Sequence, residues 1–468
     1  MTNGSLQLNS EWKPQVTESI AIKKLTQKAI ADKLNISASS VSKFVNGKPI
    51  AANNFIIICQ ELDLDWGLAS QEEPQINEIN NFNFKSDSFK VNPGGEIAPP
   101  EIIGREDLIQ MLWERLQQQS IIFIGERRIG KSSVLKKMAA EAHNNMLPIY
   151  RDLEGIRTPI EFVEKVWQDI ELYLKEEGKA VKVRNFLSQL EQSQFTGFRF
   201  PKLAEKHWKD LLTLAIEDLL NLQTKQVVFI WDEIPHMLEN FPDYYAMEML
   251  DTLRSLRQTY PDLRMIFSGS IGLHHIFNNL RKVGYRNDPT NDMYTIDGQP
   301  LALEDAIKLT SYLIEGENIA TLNVEKSARD IAESVDCIPF YIHHLIDRLK
   351  NANQEVTHSL IINIVEDSLR DPLNPWKMDH YRERIDNYYT EEQKPYVLNI
   401  LDILAINPPT TFQKLWQVLY SDPQTNNKEM ARTIIRLLMK DYYLVQTGSI
   451  YSFRYRLVQQ YWRLSRGL

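Results

Sequence analysis

Five short segments rich in apolar and β-branched residues punctuate the middle of the chain: Ile121–Ile124, Leu147–Leu153, Val227–Trp231, Leu263–Phe267 and Asp292–Ile296. Runs that barely alternate suit strands buried on both faces of a parallel sheet. Helical stretches separate them: Val134–Ala140 after the first, a long Glu-, Lys- and Leu-rich region from 159 to 222 after the second, and Tyr244–Thr259 after the third. The long region is interrupted near Phe195–Pro201, which points to an insertion in that crossover. Strand and helix thus alternate as a doubly wound α/β fold requires.

On either side of this block the pattern changes. Residues 17–66 read as four or five short helices. Residues 69–100 carry few periodic apolar positions but Asn92-Pro93-Gly94-Gly95 and Pro99-Pro100, the composition of a flexible tether. Packing over a pocket is the other arrangement open to that stretch. Beyond Leu301 come helices over Ala302–Glu315, Val324–Val335 and Pro339–Lys350. From about Thr390 the order is helix, helix, helix and a ribbon, with Thr447-Gly448-Ser449 as the hairpin turn. The expected division is a helical module at 1–68, a tether at 69–100, an α/β domain at 101–300, a helical domain at 301–388 and a small domain at 389–468.

Bulk properties narrow the setting. A length of 468 residues holds roughly three domains. A net charge of -9 argues against attraction of the whole chain to nucleic acid or an acidic membrane, though not against local basic patches. The two cysteines, Cys59 and Cys337, lie far apart, so neither a disulfide framework nor a zinc site is expected and the cytoplasm is the natural compartment. The N-terminus shows no signal-peptide pattern, and no apolar run approaches the ~18 residues of a membrane span.

The chemistry concentrates after the first strand. Gly125 to Ser133 reads Gly-Glu-Arg-Arg-Ile-Gly-Lys-Ser-Ser and fits G-x-x-x-x-G-K-[ST] between a strand and a helix. In that context glycines let successive N–H groups face one point, and the following helix adds its positive end. Gly125, Arg128, Ile129, Gly130, Lys131, Ser132 and Ser133 are the candidate phosphate-binding residues, with Lys131 reaching the β- and γ-phosphates and Ser132 a ligand for Mg²⁺. The third strand ends in Asp232-Glu233. Asp232 is placed to hold Mg²⁺, directly or through its water shell, and Glu233 to orient and deprotonate an attacking water. An adjacent acid marks the P-loop branch that uses a glutamate as base.

Ile103-Gly104-Arg105 ahead of the first helix, Ser268-Gly269-Ser270 after the fourth strand and Pro339 at a helix start resemble the STAND and archaeal-type ATPases, P-loop relatives of AAA proteins. The resemblance implies a parallel sheet in the order 5-1-4-3-2, a helical lid and a C-terminal winged helix. It places Ile103, Gly104 and Arg105 against adenine and ribose, with Pro339 packing on adenine. Cys337 stands where those lids usually have glycine. Ser270, or second Ser268, would sense the γ-phosphate, and Arg281 and Arg286 are finger candidates. ATP or ADP with Mg²⁺ is the implied ligand, and assembly into a homo-oligomer on activation the implied partner.

The N-terminal segment resembles a repressor-type helix-turn-helix. Thr26 caps one helix, Ser37 the next, and Gly47 stops it. Ala31, Ile36 and Val41 supply the close approach and core, while Ser39, Ser40, Ser42 and Lys43 face outward as candidate contacts to double-stranded DNA. Seven lysines against six acids in residues 1–68 are a thin basic balance, so a protein-binding adaptor stays open beside DNA binding. Residues 432–468 hold seven basic residues and one acid, which suits either nucleic-acid contact or bracing of the α/β domain. Three functions follow: a nucleotide-controlled switch, a DNA-binding regulator or remodeller, and a nucleotide-gated scaffold with little hydrolysis, as in phage defence.

Overall fold

The computed structural model describes residues 5–9, 12–23, 25–34, 36–48, 50–62, 64, 69, 89–143, 145–174, 183, 202–269 and 272–468. The chain forms two compact units, Met1–Phe84 and Lys85–Leu468.

The first unit is built from α1 (Lys13–Ile22), α2 (Gln27–Leu34), α3 (Ala38–Val45) and α4 (Ala52–Glu61), with strands β1 (Ser5–Leu6) and β2 (Ile50–Ala51) paired antiparallel. Its core is Val16, Ile30, Ala31, Val41, Phe44, Phe55, Ile58 and Cys59, with the rings of Phe44 and Phe55 edge to face at 5.0 Å. Ala31 is small enough for α2 and α3 to approach, and the turn between them closes through Ile36 N–H to the Ala31 carbonyl at 3.0 Å. The Ser37 side chain caps α3 by accepting from Ser40 N–H at 3.2 Å.

The second unit opens with α5 (Glu106–Leu116) and then alternates: β3 (Ile121–Gly125), α6 (Lys131–Ala140), β4 (Met146–Asp152), α7 (Pro159–Leu174), α8 (Trp208–Leu220), β5 (Gln226–Asp232), α9 (Ile234–Asn240), α10 (Asp243–Thr259), β6 (Leu263–Ser268), α11 (Leu273–Lys282) and β7 (Tyr294–Gly298). The five strands are all parallel in the order β4-β5-β6-β3-β7, which in chain terms is the expected 5-1-4-3-2. The unbroken hydrophobicity of β5 follows from its two-sided burial. Val227, Phe229 and Trp231 join the core under α7, α8 and α10, while Val228 and Ile230 join the core under α5 and α6. Residues 195–201, where an interruption was expected, lie outside the described residues.

Four helices follow, α12 (Leu303–Gly316), α13 (Val324–Ser334), α14 (Pro339–Ala352) and α15 (His358–Arg370). Asn323 and Thr357 cap α13 and α15 through their side-chain oxygens. The remainder is α16 (His380–Tyr388), α17 (Lys394–Ile406), β8 (Thr410–Thr411), α18 (Phe412–Leu419), α19 (Lys428–Lys440), β9 (Leu444–Thr447), β10 (Ile450–Phe453) and α20 (Arg456–Arg466). The three short strands pair antiparallel in the order β8-β10-β9. No helix among the described residues is long and apolar enough to cross a membrane.

Of the two arrangements open to 69–100, the described C-terminal part takes the packed one. Phe89 is buried, 5.1 Å from the Tyr312 ring on α12. Val91 N–H donates to Glu317 Oε1 at 2.9 Å, Asn92 N–H to His343 Nδ1 at 3.2 Å, and Glu96 pairs with Lys136 of α6 at 2.8 Å. The polar, glycine-rich composition is that of a strap held by backbone N–H groups as well as by side chains. Composition alone does not separate such a strap from a free linker.

Candidate nucleotide site

Because the strands are parallel, Gly125, Asp152, Asp232, Ser268 and Gly298 end along one edge of the sheet. The Gly125–Lys131 loop leaves β3 there and turns through left-handed backbone at Arg128 (φ 69) and Gly130 (φ 96) before α6 begins. Gly130 takes the second turn without a Cβ, which leaves the first N–H groups of α6 open to an anion. A cavity of about 510 Å³ lies over the loop. The loop and α6 line it with Arg127, Arg128, Gly130, Lys131, Ser132 and Ser133; Glu154 and Glu233 follow β4 and β5 into it. Pro339, Phe340 and His343 of α14 close one side, and Asn92, Gly94, Gly95 and Ile97 of the strap another.

Lys131 is buried, its Nζ donating to the carbonyls of Gly125 at 2.8 Å and Glu126 at 2.9 Å. Burial lowers its pKa, and the carboxylates of Glu233, Glu126 and Asp232 oppose that shift. Asp232 is 1% exposed and held by Glu233 N–H at 3.1 Å and the Tyr150 hydroxyl at 3.3 Å. Burial, and then the Asp232 charge, push the Tyr150 phenol upward, so it stays a donor. Tyr150 was not a sequence candidate, since a tyrosine within a strand has no signature of its own. Glu233 caps α9 in the left-handed region (φ 54), a conformation non-glycine residues seldom adopt.

A smaller cavity of about 40 Å³ adjoins the first. Ile103 and Pro339 both line it, joined by Leu301 and Leu309, which sequence reading had not singled out. Gly104 (φ 67) lines neither cavity. A Cβ on it would stand 2.4 Å from the Asp305 Cβ, so its glycine serves the packing of α12. Arg105 borders the smaller cavity but commits its guanidinium to structure, with Nη1 donating to the Gln299 carbonyl at 2.8 Å and Nη2 to that of Ile129 at 2.6 Å. Burial lowers its pKa to about 10, which leaves it charged at neutral pH. Its guanidinium thereby braces the phosphate loop. Arg128 lies over the Phe340 ring at 4.1 Å, and Ile129 is buried. Ser270 lies outside the described residues. Ser268 is 1% exposed, and its hydroxyl has no hydrogen-bond partner among the described residues. Arg281 and Arg286 are exposed.

Residues 114–277 match the family model described as an AAA domain, and residues 22–67 one described as helix-turn-helix. The chain carries an AAA-type P-loop ATPase domain and a helix-turn-helix module. No curated protein matches the chain. Among solved structures, a Walker-type ATPase of Pyrococcus abyssi superposes with a TM-score of 0.54 at 17% identity, over 77% of this chain and 96% of that one, a likeness of fold. The ORC2 protein of Aeropyrum pernix matches with a TM-score of 0.44 at 11% identity, over 79% and 96% of the two chains. The RuvB Holliday junction branch migration motor of Thermotoga maritima gives 0.34 at 11%, over 75% and 92%.

In the helix-turn-helix module, Ser39 and Lys43 are exposed on α3. Ser40 and Ser42 are only half exposed. The Ser40 hydroxyl lies 2.9 Å from that of Ser37, and Ser42 Oγ lies 3.5 Å from Asn46 Nδ2, so these two are partly turned to the helix itself. The outward-facing set read from spacing therefore shrinks to Ser39 and Lys43.

The ATPase domain is tied to the elements beyond it by buried charges that sequence reading missed. Glu126, inside the phosphate loop, is 1% exposed and accepts from both guanidinium nitrogens of Arg384 on α16, at 2.8 and 3.3 Å, with His380 Nε2 at 3.8 Å. Burial pushes the Glu126 carboxyl up, but the Arg384 charge and the nearby His380 imidazole outweigh it and hold it down at about 2. Tyr442 and Arg454 reach Asp297 on β7 at 2.8 Å each, and Asp336, after α13, caps α20 through Arg456 and Leu457 N–H. Cys337 follows in left-handed backbone (φ 56), a conformation glycine takes without strain.

Arg384→Met should cost about 3–5 kcal/mol of stability at neutral pH, because it leaves a buried carboxylate unpaired. Glu126→Gln in the same chain should recover much of that loss. A depressed folded-state pKa stabilises above the ordinary value near 4.5 and loses that contribution as pH falls toward 2. Urea midpoints across this acid window should therefore fall steeply in the wild type and less so in Arg384→Met. An equal slope in both proteins would dismiss the ion pair as the cause.

Proposed function

We propose that the chain is an ATP-binding, Mg²⁺-dependent ATPase of STAND or archaeal type that acts as a nucleotide-controlled switch, with the helix-turn-helix as a DNA-binding output. The observation that carries this reading is the composition of the 510 Å³ cavity wall. Phosphate loop, acidic strand end, α14 and strap all face it, and the strap is the segment that follows the helix-turn-helix in the chain. A nucleotide that touches all four would shift their arrangement by its differential affinity for the two states. Residues 301–388 then serve as the lid, tied to the phosphate loop through Arg384 and Glu126, and 389–468 as a winged helix that braces the ATPase domain through Asp297. Ile103 and Pro339 hold the base. Ser132 and Asp232, a hydroxyl and a carboxylate, are the hard oxygen donors Mg²⁺ takes, and would hold it. When bound, the ion screens the phosphate charge. Glu233 orients the attacking water, and Ser268 or Ser270 senses the γ-phosphate.

The test is duplex binding by the full chain, followed by fluorescence anisotropy with ADP and with a non-hydrolysable ATP analogue at several salt concentrations. Affinity should fall steeply with salt and differ between the two nucleotides by about 5- to 150-fold, the usual range of coupling between sites. Backbone amides 89–97 should gain hydrogen-exchange protection with the analogue. Duplex affinity that ignores the nucleotide, with unchanged protection of the strap, would refute the switch.

A further inference from the structure

Outside the nucleotide site, one cluster has no place in phosphate chemistry. His274 and His275 open α11, just beyond β6, and Asp441 closes α19. Asp441 Oδ1 lies 2.7 Å from His275 Nε2 and 3.1 Å from His274 Nε2, and the candidate ligand atoms of all three residues fall within 4.8 Å of one another. His275 and Asp441 are buried and His274 half-buried. We propose that this trio is a transition-metal site of the Zn²⁺ class, bridging α11 of the ATPase domain and the end of α19.

Donor chemistry and surroundings both carry this. Two imidazoles and one carboxylate are a ligand set that suits zinc and its neighbours, and three protein ligands leave a fourth position for water. A tetrahedral centre with bonds of about 2.0–2.2 Å sets its donor atoms about 3.3–3.6 Å apart, so modest side-chain rotations reach it. Asp441 offers Oδ1 to the histidines while its Oδ2 accepts from the Tyr389 hydroxyl, the outer-shell bond that orients a ligating carboxylate. The His275 ring is fixed by stacking on Tyr388 at 4.7 Å. A cavity of about 10 Å³ bordered by His275 and Asp441 is roughly the space one water occupies. Lys440 and Arg384 border the same cavity and oppose a cation, but Arg384 is matched by Glu126. The metal would cross-link the helix that follows β6 to the same C-terminal region that Arg384 ties to the phosphate loop.

The experiment uses the untagged full chain saturated with Mg²⁺ and ADP, so that the oxygen-donor site is filled. Zinc is added, and X-ray absorption is recorded on the wild type. Imidazole scattering with one equivalent of zinc is expected. In a chain carrying both His274→Ala and His275→Ala, zinc affinity should fall at least about 10²-fold, while Asp232→Asn keeps it. Circular dichroism of each variant shows whether it is folded. Zinc on the wild type without imidazole scattering, or undiminished affinity in a folded double variant, would overturn the proposal and leave the trio as a hydrogen-bonded clamp.

Discussion

Lys131→Ala should abolish measurable ATP binding by the full chain. Lys131 Nζ lies buried at the mouth of α6 and is held by the carbonyls of Gly125 and Glu126 within the loop. Moved to a phosphate, it would exchange two neutral acceptors for charged oxygens, a hydrogen bond worth about 1.5–3 kcal/mol on its own. The alanine variant forfeits more than that. Glu126, Asp232 and Glu233 lie close enough to bias the lysine's proton, and while Arg384 still matches Glu126, without the lysine Asp232 and Glu233 face an incoming polyanion with less compensation. A loss beyond about 10²-fold is therefore the expectation, read by titration calorimetry at saturating Mg²⁺. The variant also loses the two bonds that tie the loop, so its urea midpoint without nucleotide is the control. Wild-type affinity in Lys131→Ala would mean that the 510 Å³ cavity is not a triphosphate site.

What the sequence disclosed and what it withheld divide along one physical line. Local or periodic features were legible. Strand β5 is buried on both faces, so its residues had to be apolar without alternation, and the run Val227–Trp231 could hardly be anything else. The strand–loop–helix setting of Gly125–Ser133 and the strand end at Asp232 were legible because the motifs read there sit at fixed spacing next to a strand. Features made by distant partners were not. Glu126 looked like a spare loop position, and only Arg384, 258 residues on, gives it a role. Asp336 reads as a turn residue until Arg456 and Leu457 present their N–H groups to it. His274-His275 carried no signal without Asp441. The strap was left between tether and packed cover for a different reason. Its hydrogen bonds to Glu317 and His343 come from backbone N–H groups, which every residue but proline has, so no side-chain pattern announces them. Ser40 was misplaced because a serine at the third position after an N-cap can turn to the cap as readily as to solvent.

Glu233→Gln should bind ATP as the wild type does and lower kcat by about 10²–10⁴-fold, the usual contribution of a positioned general base. Glutamine keeps the size and the hydrogen-bonding reach of the side chain but cannot take a proton, so a change confined to kcat would identify the role. A rise in KM alone would instead mark Glu233 as a ground-state contact. Its backbone offers a second, independent readout. Glu233 sits at φ 54, where a Cβ costs roughly 1–2 kcal/mol, and glycine would adopt that turn freely. The neighbouring chain enforces it: Pro235 packs so closely on Gly269 that a Cβ on that glycine would lie 2.5 Å from the Pro235 Cδ. Glu233→Gly should therefore be as inactive as Glu233→Gln and yet at least as stable as wild type in urea, by up to about 1 kcal/mol after glycine's own entropy is offset. Strain tolerated at a residue whose removal stabilises the fold needs a functional reason, and catalysis would supply it. If Glu233→Gly instead unfolds readily while Glu233→Gln hydrolyses ATP at the wild-type rate, the side chain is holding α9 in place, and the base lies elsewhere along the strand ends, with Glu154 on the same cavity wall the next to test.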